Sequence, residues 1–387
     1  MKYYSAAHIH DGRDWVADPE LVLAFDEDNI FTGYVSRSGL EPDQVQELEG
    51  MLCPGFVNAH CHLELSHTKG SIPEHTGLVT FLGKVVFNRG ADEQSKLQAI
   101  ELAMAALEES GCIAVGDIAN TEDLLHLRLQ GNMHVHTFVE TMGFIPQTAA
   151  QRMAFPEQVH RSYAAQTSHP KGYVLRQSIV PHAPYSVSDK LFELIDSFEP
   201  GSLLSIHNEE TPAENQYFIE KTGEMKELYK TLNIDDTYFQ PSGKTSLQTY
   251  LPYIKQPHDL LLVHNTCITT EDLAYLDQYN GNVSLCLCPN ANWYIERALP
   301  DIPAMMASGH NICLGTDSLA SNHELNIYGE IQKIRAHYPQ IALSDLLSWA
   351  TMGGARALQL DNIIGSFEPG KRPGLVQIHE EVSKRIM

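Results

Sequence analysis

Two histidines one residue apart, His60 and His62, are followed far along the chain by His182, His207, His264 and Asp317. Imidazole nitrogens and a carboxylate suit zinc and similar first-row ions, and three imidazoles with one carboxylate leave a position for water. Metal binding lowers the pKa of water to roughly 7, which makes hydroxide available near neutrality. In the stretch HNEE, Glu210 lies three residues past His207, so one turn can present a metal ligand and a carboxyl group for general acid–base work. Glu209 beside it is the neighbouring candidate for that role. Asp317 can both ligate and accept a proton from the water, and His264 can hydrogen-bond the water or its point of attack.

Such residues need a scaffold that brings distant segments to one place. Apolar runs of strand length alternate with helical stretches from about residue 54 onward, the pattern of parallel β/α units. The candidate strands are GFVNAH (55–60), CIAVGDI (112–118), HVHTFVE (134–140), VLRQSIVPH (174–182), SLLSIHN (202–208), DLLLVHN (259–265), NVSLCLCP (282–289) and NICLGTD (311–317). Eight strands is the barrel number, so the expected fold is α/β, a (β/α)8 TIM barrel whose site lies at the C-terminal strand ends. His60, His182, His207, His264 and Asp317 close their strands, whereas the similarly spaced His134 and His136 open theirs and belong to the stability face. Between strands, SKLQAIELAMAALEES and EDLAYLDQYN carry helical spacing, the latter after Thr269 and Thr270 at capping positions. Residues 1–53 read as short strands broken by turns, as do His8 and His10 within them, and GSFEPGKRPGLVQIH returns to that composition. The expected division is a barrel over 54–360 and a small discontinuous β domain from 1–53 plus 361–387.

Bulk properties narrow the class. The 387 residues are 43% hydrophobic, enough for a barrel of about 250 residues with an appendage. Acidic residues number 49 against 26 basic ones, a net charge of -23 that repels nucleic-acid backbones and anionic membranes. Neither a signal-peptide core nor a membrane-length apolar run is visible, so a cytoplasmic location is expected. Seven cysteines form an odd set without a C-x-x-C pair, and Cys286 and Cys288 alternate with leucine as buried strand residues do, so reduced thiols are expected.

At PGFVNAHCHLELS (54–66), PHAPYSVS (181–188), IHNEET (206–211), LVHNTCIT (262–269), CPNANWYI (288–295) and GTDSLASNHELN (315–326) the chain resembles the amidohydrolase superfamily, in its deaminase and chlorohydrolase branch. The resemblance spans nearly the whole chain. It implies His60, His62, His207 and Asp317 as ligands of one divalent ion, zinc foremost with iron or manganese as alternatives. It implies Glu210 as proton shuttle, His264 as orienter of the attacking water or leaving group, and His182 as a substrate contact. No lysine closes strand four, so a carboxylated-lysine binuclear centre is not expected. The chain ends then form the small β-sandwich of such enzymes, and association into homo-oligomers is common among them. HLELS followed by VTFLGKVV is similar to the 6-aminodeoxyfutalosine deaminases of menaquinone-making bacteria. The implied reaction is deamination of an adenine-type nucleoside. Glu64 can accept from ribose hydroxyls, and Trp293 or Phe81 can stack on an aromatic group, with packing an equal alternative for each.

Rival readings remain. S-adenosylhomocysteine, methylthioadenosine or guanine deamination, chloride release and amide opening share the same apparatus. CPNANW departs from the commoner CPxSN, and His62-Leu63-Glu64 mimics the H-x-E element of cytidine-type deaminases without their P-C-x-x-C. A catalytically silent barrel acting as a scaffold is disfavoured by the complete ligand set.

Overall fold

The computed structural model describes residues 1–88 and 90–387, the side chains of residues 86–88 excepted. The apolar runs that the sequence offers as strands form two four-stranded parallel sheets, each in chain order. The first holds β1 (Phe56–Cys61), β2 (Cys112–Ala119), β3 (His134–Thr141) and β4 (Leu175–Pro181). The second holds β5 (Leu203–Asn208), β6 (Asp259–His264), β7 (Val283–Leu287) and β8 (Asn311–Leu314). β1, β2, β3, β5 and β7 are buried along their whole length, which explains why these segments read as continuous apolar runs and not as alternating ones. The sheets meet at both edges. At one edge the backbone N–H groups of Thr316 and Asp317 donate to His60 O at 3.0 and 3.1 Å; at the other His207 N–H donates to His182 O at 3.0 Å.

Helices cover these strands, giving a mixed α/β fold. Glu93–Ser110 shows how the sequence sets them: Asp92 caps its start by accepting from Ser95 N–H, Gly111 ends it at φ 117°, and Ile100, Ala103, Met104 and Leu107 turn inward. Thr269 and Asp272 form the capping box that begins Thr270–Leu276. The expected strand limits hold within a few residues, with two corrections at the site. His182 lies one residue past β4, and Asp317 three residues past β8.

The chain ends supply antiparallel and mixed sheets. Val376–His379 pairs with Met51–Cys53, and Val382–Arg385 and His8–Ile9 flank that pair. A second sheet orders Phe31–Ser36, Leu21–Phe25, Lys2–Ser5 and Val45–Glu47. Tyr4, Leu23, Phe25, Phe31, Leu52, Phe367 and Leu375 form a separate apolar core there. No helix among the described residues is long and apolar enough to cross a membrane.

A third apolar cluster lies beyond the strand ends. Leu65 follows His62, Ala183 and Tyr185 follow His182, and Ala320 follows Asp317; they pack with Phe81, Phe144, Tyr217 and Tyr229. The segments after His62, His182 and Asp317 thus contribute to an apolar wall, whereas His207 is followed by the polar Asn208, Glu209 and Glu210.

Candidate metal centre and acid–base site

β1 delivers His60 and His62, β5 His207, and the segment after β8 Asp317; all four are buried. His62 Nε2 lies 3.3 Å from Asp317 Oδ1 and 3.2 Å from His207 Nε2. His60 Nε2 lies 3.7 Å from the same carboxylate oxygen. His207 Nδ1–H donates to His182 O at 2.7 Å, which leaves a lone pair on the Nε2 that faces His62. Neither nitrogen of His60 has a hydrogen-bond partner although the side chain is fully buried. Converging lone pairs and an orphaned buried imidazole are what a cation-binding cage needs, and three imidazoles with one carboxylate match a divalent first-row ion. Among the described residues three groupings of donor atoms fall within 4.8 Å: His60 with His62 and His207, His60 with His264 and Asp317, and Glu140 with His182 and His207.

Electrostatics agree with that donor set. Burial lowers the pKa of His60, His62, His207 and His264, so the imidazoles stay neutral and keep their lone pairs. Burial opposes ionisation of Asp317, but the imidazoles of His60, His62 and His264 outweigh it and hold the carboxyl below its ordinary range. Ser321 donates its hydroxyl to the other oxygen of Asp317. Asn58 fixes the preceding residue, accepting from Thr316 N–H at 3.1 Å and donating to its hydroxyl at 2.8 Å.

Against the cage stands an acid–base pair, the His264 ring stacked 5.5 Å from that of His207. Glu210 Oε1 is 3.6 Å from His264 Nε2, and both side chains are buried. His264 Nδ1–H donates to Asn292 Oδ1 at 2.7 Å, so its unprotonated Nε2 faces Glu210. Burial first, then the charges of Asp317 and Glu296, push the Glu210 carboxyl well above the usual carboxylate range. A carboxyl that retains its proton can deliver it.

The remaining expectations divide. Glu64 accepts from Asn120 N–H at 2.9 Å and from the Thr121 hydroxyl at 3.3 Å, while Asn120 Nδ2 donates to Glu140 at 2.9 Å. The two carboxylates are thus linked across the ends of β1, β2 and β3. The His182 ring stands 4.9 Å from the His207 ring, and its Nδ1 is 2.6 Å from Ser186 Oγ. Trp293 is not brought to the histidines: its ring packs 4.5 Å from His337, with Lys333 Nζ 5.6 Å above it. Phe81 is buried in the apolar wall. Cys286 and Cys288 are fully buried, and burial pushes the Cys288 thiol up to about 11, so both are protonated core thiols. Sequence reasoning missed Asn292, Asn120, Glu140, Ser321 and Glu214. Of these only Glu214 carries a signal, as the fourth residue of Thr-x-x-Glu at 211–214.

Fold, neutral histidine cage and buried acid form a candidate metal site suited to hydrolysis, and comparison with known proteins gives the family. Residues 51–384 match the amidohydrolase family, and the chain belongs to that family, whose members generally carry a divalent metal. It is therefore a hydrolase acting on non-peptide carbon–nitrogen bonds. An adenosine deaminase of Helicobacter pylori is 27% identical over 333 residues, 84% of this chain and 78% of the relative. A 5-methylthioadenosine/S-adenosylhomocysteine deaminase of Teredinibacter turnerae is 26% identical over 341 residues, 85% and 71% of the two chains. Among solved structures, Helicobacter pylori aminofutalosine deaminase in complex with methylthio-coformycin shares the fold, with a TM-score of 0.80 at 24% identity, covering 97% of this chain and 91% of that one.

Proposed function

We propose that the chain is a divalent-metal aminohydrolase that removes the exocyclic amine from the adenine-type ring of a nucleoside, 6-amino-6-deoxyfutalosine foremost. The observation that carries this reading is the buried Glu210 carboxyl set 3.6 Å from a neutral His264 beside the cage of His60, His62, His207 and Asp317. The relatives named as deaminases of adenosine and of methylthioadenosine support the ring type, and the aminofutalosine deaminase fold supports the first choice of substrate. We further infer that β1 to β8 form one closed (β/α)8 barrel over 54–360, supported by the hydrogen bonds at both sheet edges, and that 1–53 with 361–387 form its small β-sandwich.

In this reading His60, His62, His207 and Asp317 hold one ion, with zinc favoured by a nitrogen-rich donor set. The ion, when bound, supplies positive charge that lets water yield hydroxide near neutrality. Asp317 accepts the proton that water loses. Glu210 gives its proton to the ring nitrogen as the carbon–oxygen bond forms. Its carboxylate then takes the proton of the new hydroxyl and passes it to the amine as the carbon–nitrogen bond breaks, so ammonia leaves and the ring keeps a carbonyl; the proton held by Asp317 restores Glu210. His264, fixed by Asn292, presents Nε2 to the hydrogen of the attacking water. Glu64 and His182 face the sugar, and the apolar wall excludes competing water.

The test is ammonia release by metal-analysed enzyme from 6-amino-6-deoxyfutalosine, S-adenosylhomocysteine, 5'-methylthioadenosine, adenosine, guanine and cytosine. Turnover confined to adenine-bearing compounds is expected. Silence on all six by enzyme with bound metal overturns the deaminase reading and directs the search to halogenated or amide substrates.

A further inference from the structure

Helix Pro212–Glu220 begins after Thr211, and Thr-x-x-Glu at its start reads as a capping box in which Glu214 would accept from the Thr211 N–H. The structure departs from that pattern. The Thr211 side chain makes no cap hydrogen bond, and Glu214 reaches past the cap into the preceding turn. Its Oε1 accepts from Glu209 N–H at 3.2 Å and from the Ser246 hydroxyl, and its Oε2 accepts from Glu210 N–H at 3.2 Å. Glu214 is fully buried; burial pushes its carboxyl up to about 7, and its three neutral donors pull the other way, favouring the carboxylate.

Burying a carboxylate in that way is costly, and space filling or helix capping does not require it. What a carboxylate offers is two acceptor oxygens with no donor, which a glutamine cannot match. The turn it grips is strained: Glu209 adopts φ 47°, a left-handed conformation that a non-glycine residue enters only at a cost. Neighbouring bonds brace the same turn. Asn215 Nδ2 donates to Glu209 Oε1 at 3.0 Å, Asn215 Oδ1 accepts from Ser246 N–H at 2.8 Å, and Cys267 N–H donates to Glu209 O at 2.8 Å.

We propose that Glu214 is the positioning residue of the acid–base site: by holding the Glu209 and Glu210 amides against Ser246, it aims the Glu210 carboxyl at His264. This rests on the role given to Glu210 above. The Glu214→Gln variant keeps size and burial but sets an amide donor against the Glu210 N–H.

The experiment compares wild type and Glu214→Gln as metal-loaded proteins by steady-state kinetics, metal content and amide exchange of the peptide covering 208–211. Expected are a fall in kcat of about tenfold to a hundredfold, as a displacement near 1 Å gives, with KM within about threefold and metal content unchanged. Exchange at 209 and 210 quickens while β5 stays protected. Ser246→Ala, which removes only one donor, gives a smaller fall in kcat of about twofold to fivefold and keeps the proposal testable if Glu214→Gln fails to fold. An unchanged kcat, unchanged exchange at 209 and 210, or loss of metal in step with kcat overturns the proposal. A wild type silent on every substrate overturns the proposed function instead, and the exchange comparison still decides the role of Glu214.

Discussion

Replacing Asn292 with leucine tests the acid–base arrangement at its least conspicuous point. Leucine keeps the branched four-atom side chain but removes the oxygen that accepts from His264 Nδ1–H at 2.7 Å. Both residues are buried, with exposures of 2% and 1%, so no water stands ready to replace the bond. An imidazole N–H left without an acceptor costs about 1–3 kcal/mol. The ring avoids that cost by moving its proton to Nε2, where Glu210 Oε1 lies 3.6 Å away, and the wrong nitrogen then faces the reaction. At about 1.4 kcal/mol per decade, kcat falls about fivefold to a hundredfold while KM changes little. The assay is initial-rate ammonia release together with metal content by elemental analysis. A variant within twofold of wild-type kcat would refute the tautomer argument. Loss of metal instead would show that His264 belongs to the ligand set, the alternative its grouping with His60 and Asp317 allows.

Three further outcomes follow from the same geometry. Glu210→Gln retains metal, because Glu210 faces His264 and not the cage, but loses at least about a hundredfold in kcat; if it sheds metal, the carboxyl is a ligand. Asp317→Asn removes a ligand charge and a proton acceptor together, so retention of more than about a tenth of the rate sinks both roles. His136 concerns stability: burial first, then Arg176 and Arg128, push it down to about 3, so the folded protein holds it neutral. Below the unfolded value near 6.5 the unfolded chain binds a proton that the folded chain refuses, and stability falls with pH by about 1.4 kcal/mol per unit. Between pH 6.5 and 5, urea unfolding of His136→Gln should therefore lose about 2 kcal/mol less than wild type, and equal losses would refute the assignment.

The fold was legible where burial leaves a strong compositional trace. β5 to β7 are recognisable because each is mostly apolar, and in β5 and β6 the polar residues near the C-terminal end carry the candidate chemistry: His207 and His264. Residues acting on those groups from helices leave no such trace. Asn292 is one amide in helix Pro289–Glu296, and hydropathy gives no reason to prefer it to Trp293. Geometry does: successive helical residues point about 100° apart, so once Asn292 faces His264, Trp293 faces the neighbouring helix and meets His337. His134 and His136 were legible for the opposite reason, because His134 is the first residue of β3 and accepts from Val174 N–H at 2.9 Å at the start of the sheet.

Backbone conformation escaped sequence reasoning entirely, and it explains how strand ends become a site. Glu209, His264, Asn265 and Asp317 adopt φ of 47°, 71°, 54° and 56°, a region that non-glycine residues enter at a cost. Each sits where the chain leaves a strand, and the left-handed step turns the side chain inward before the following loop begins. Hydrogen bonds between strands hold the strain: Asp317 N–H to His60 O at 3.1 Å, Asn265 N–H to Asn208 O at 3.0 Å, and Cys267 N–H to Glu209 O at 2.8 Å. The first spans one of the two sheet edges, and the others join β5 to the chain beyond β6. Ligand placement and strand association are thus the same set of bonds, so a change that loosens the β8 to β1 edge should release Asp317 toward an unstrained conformation before it unfolds the protein.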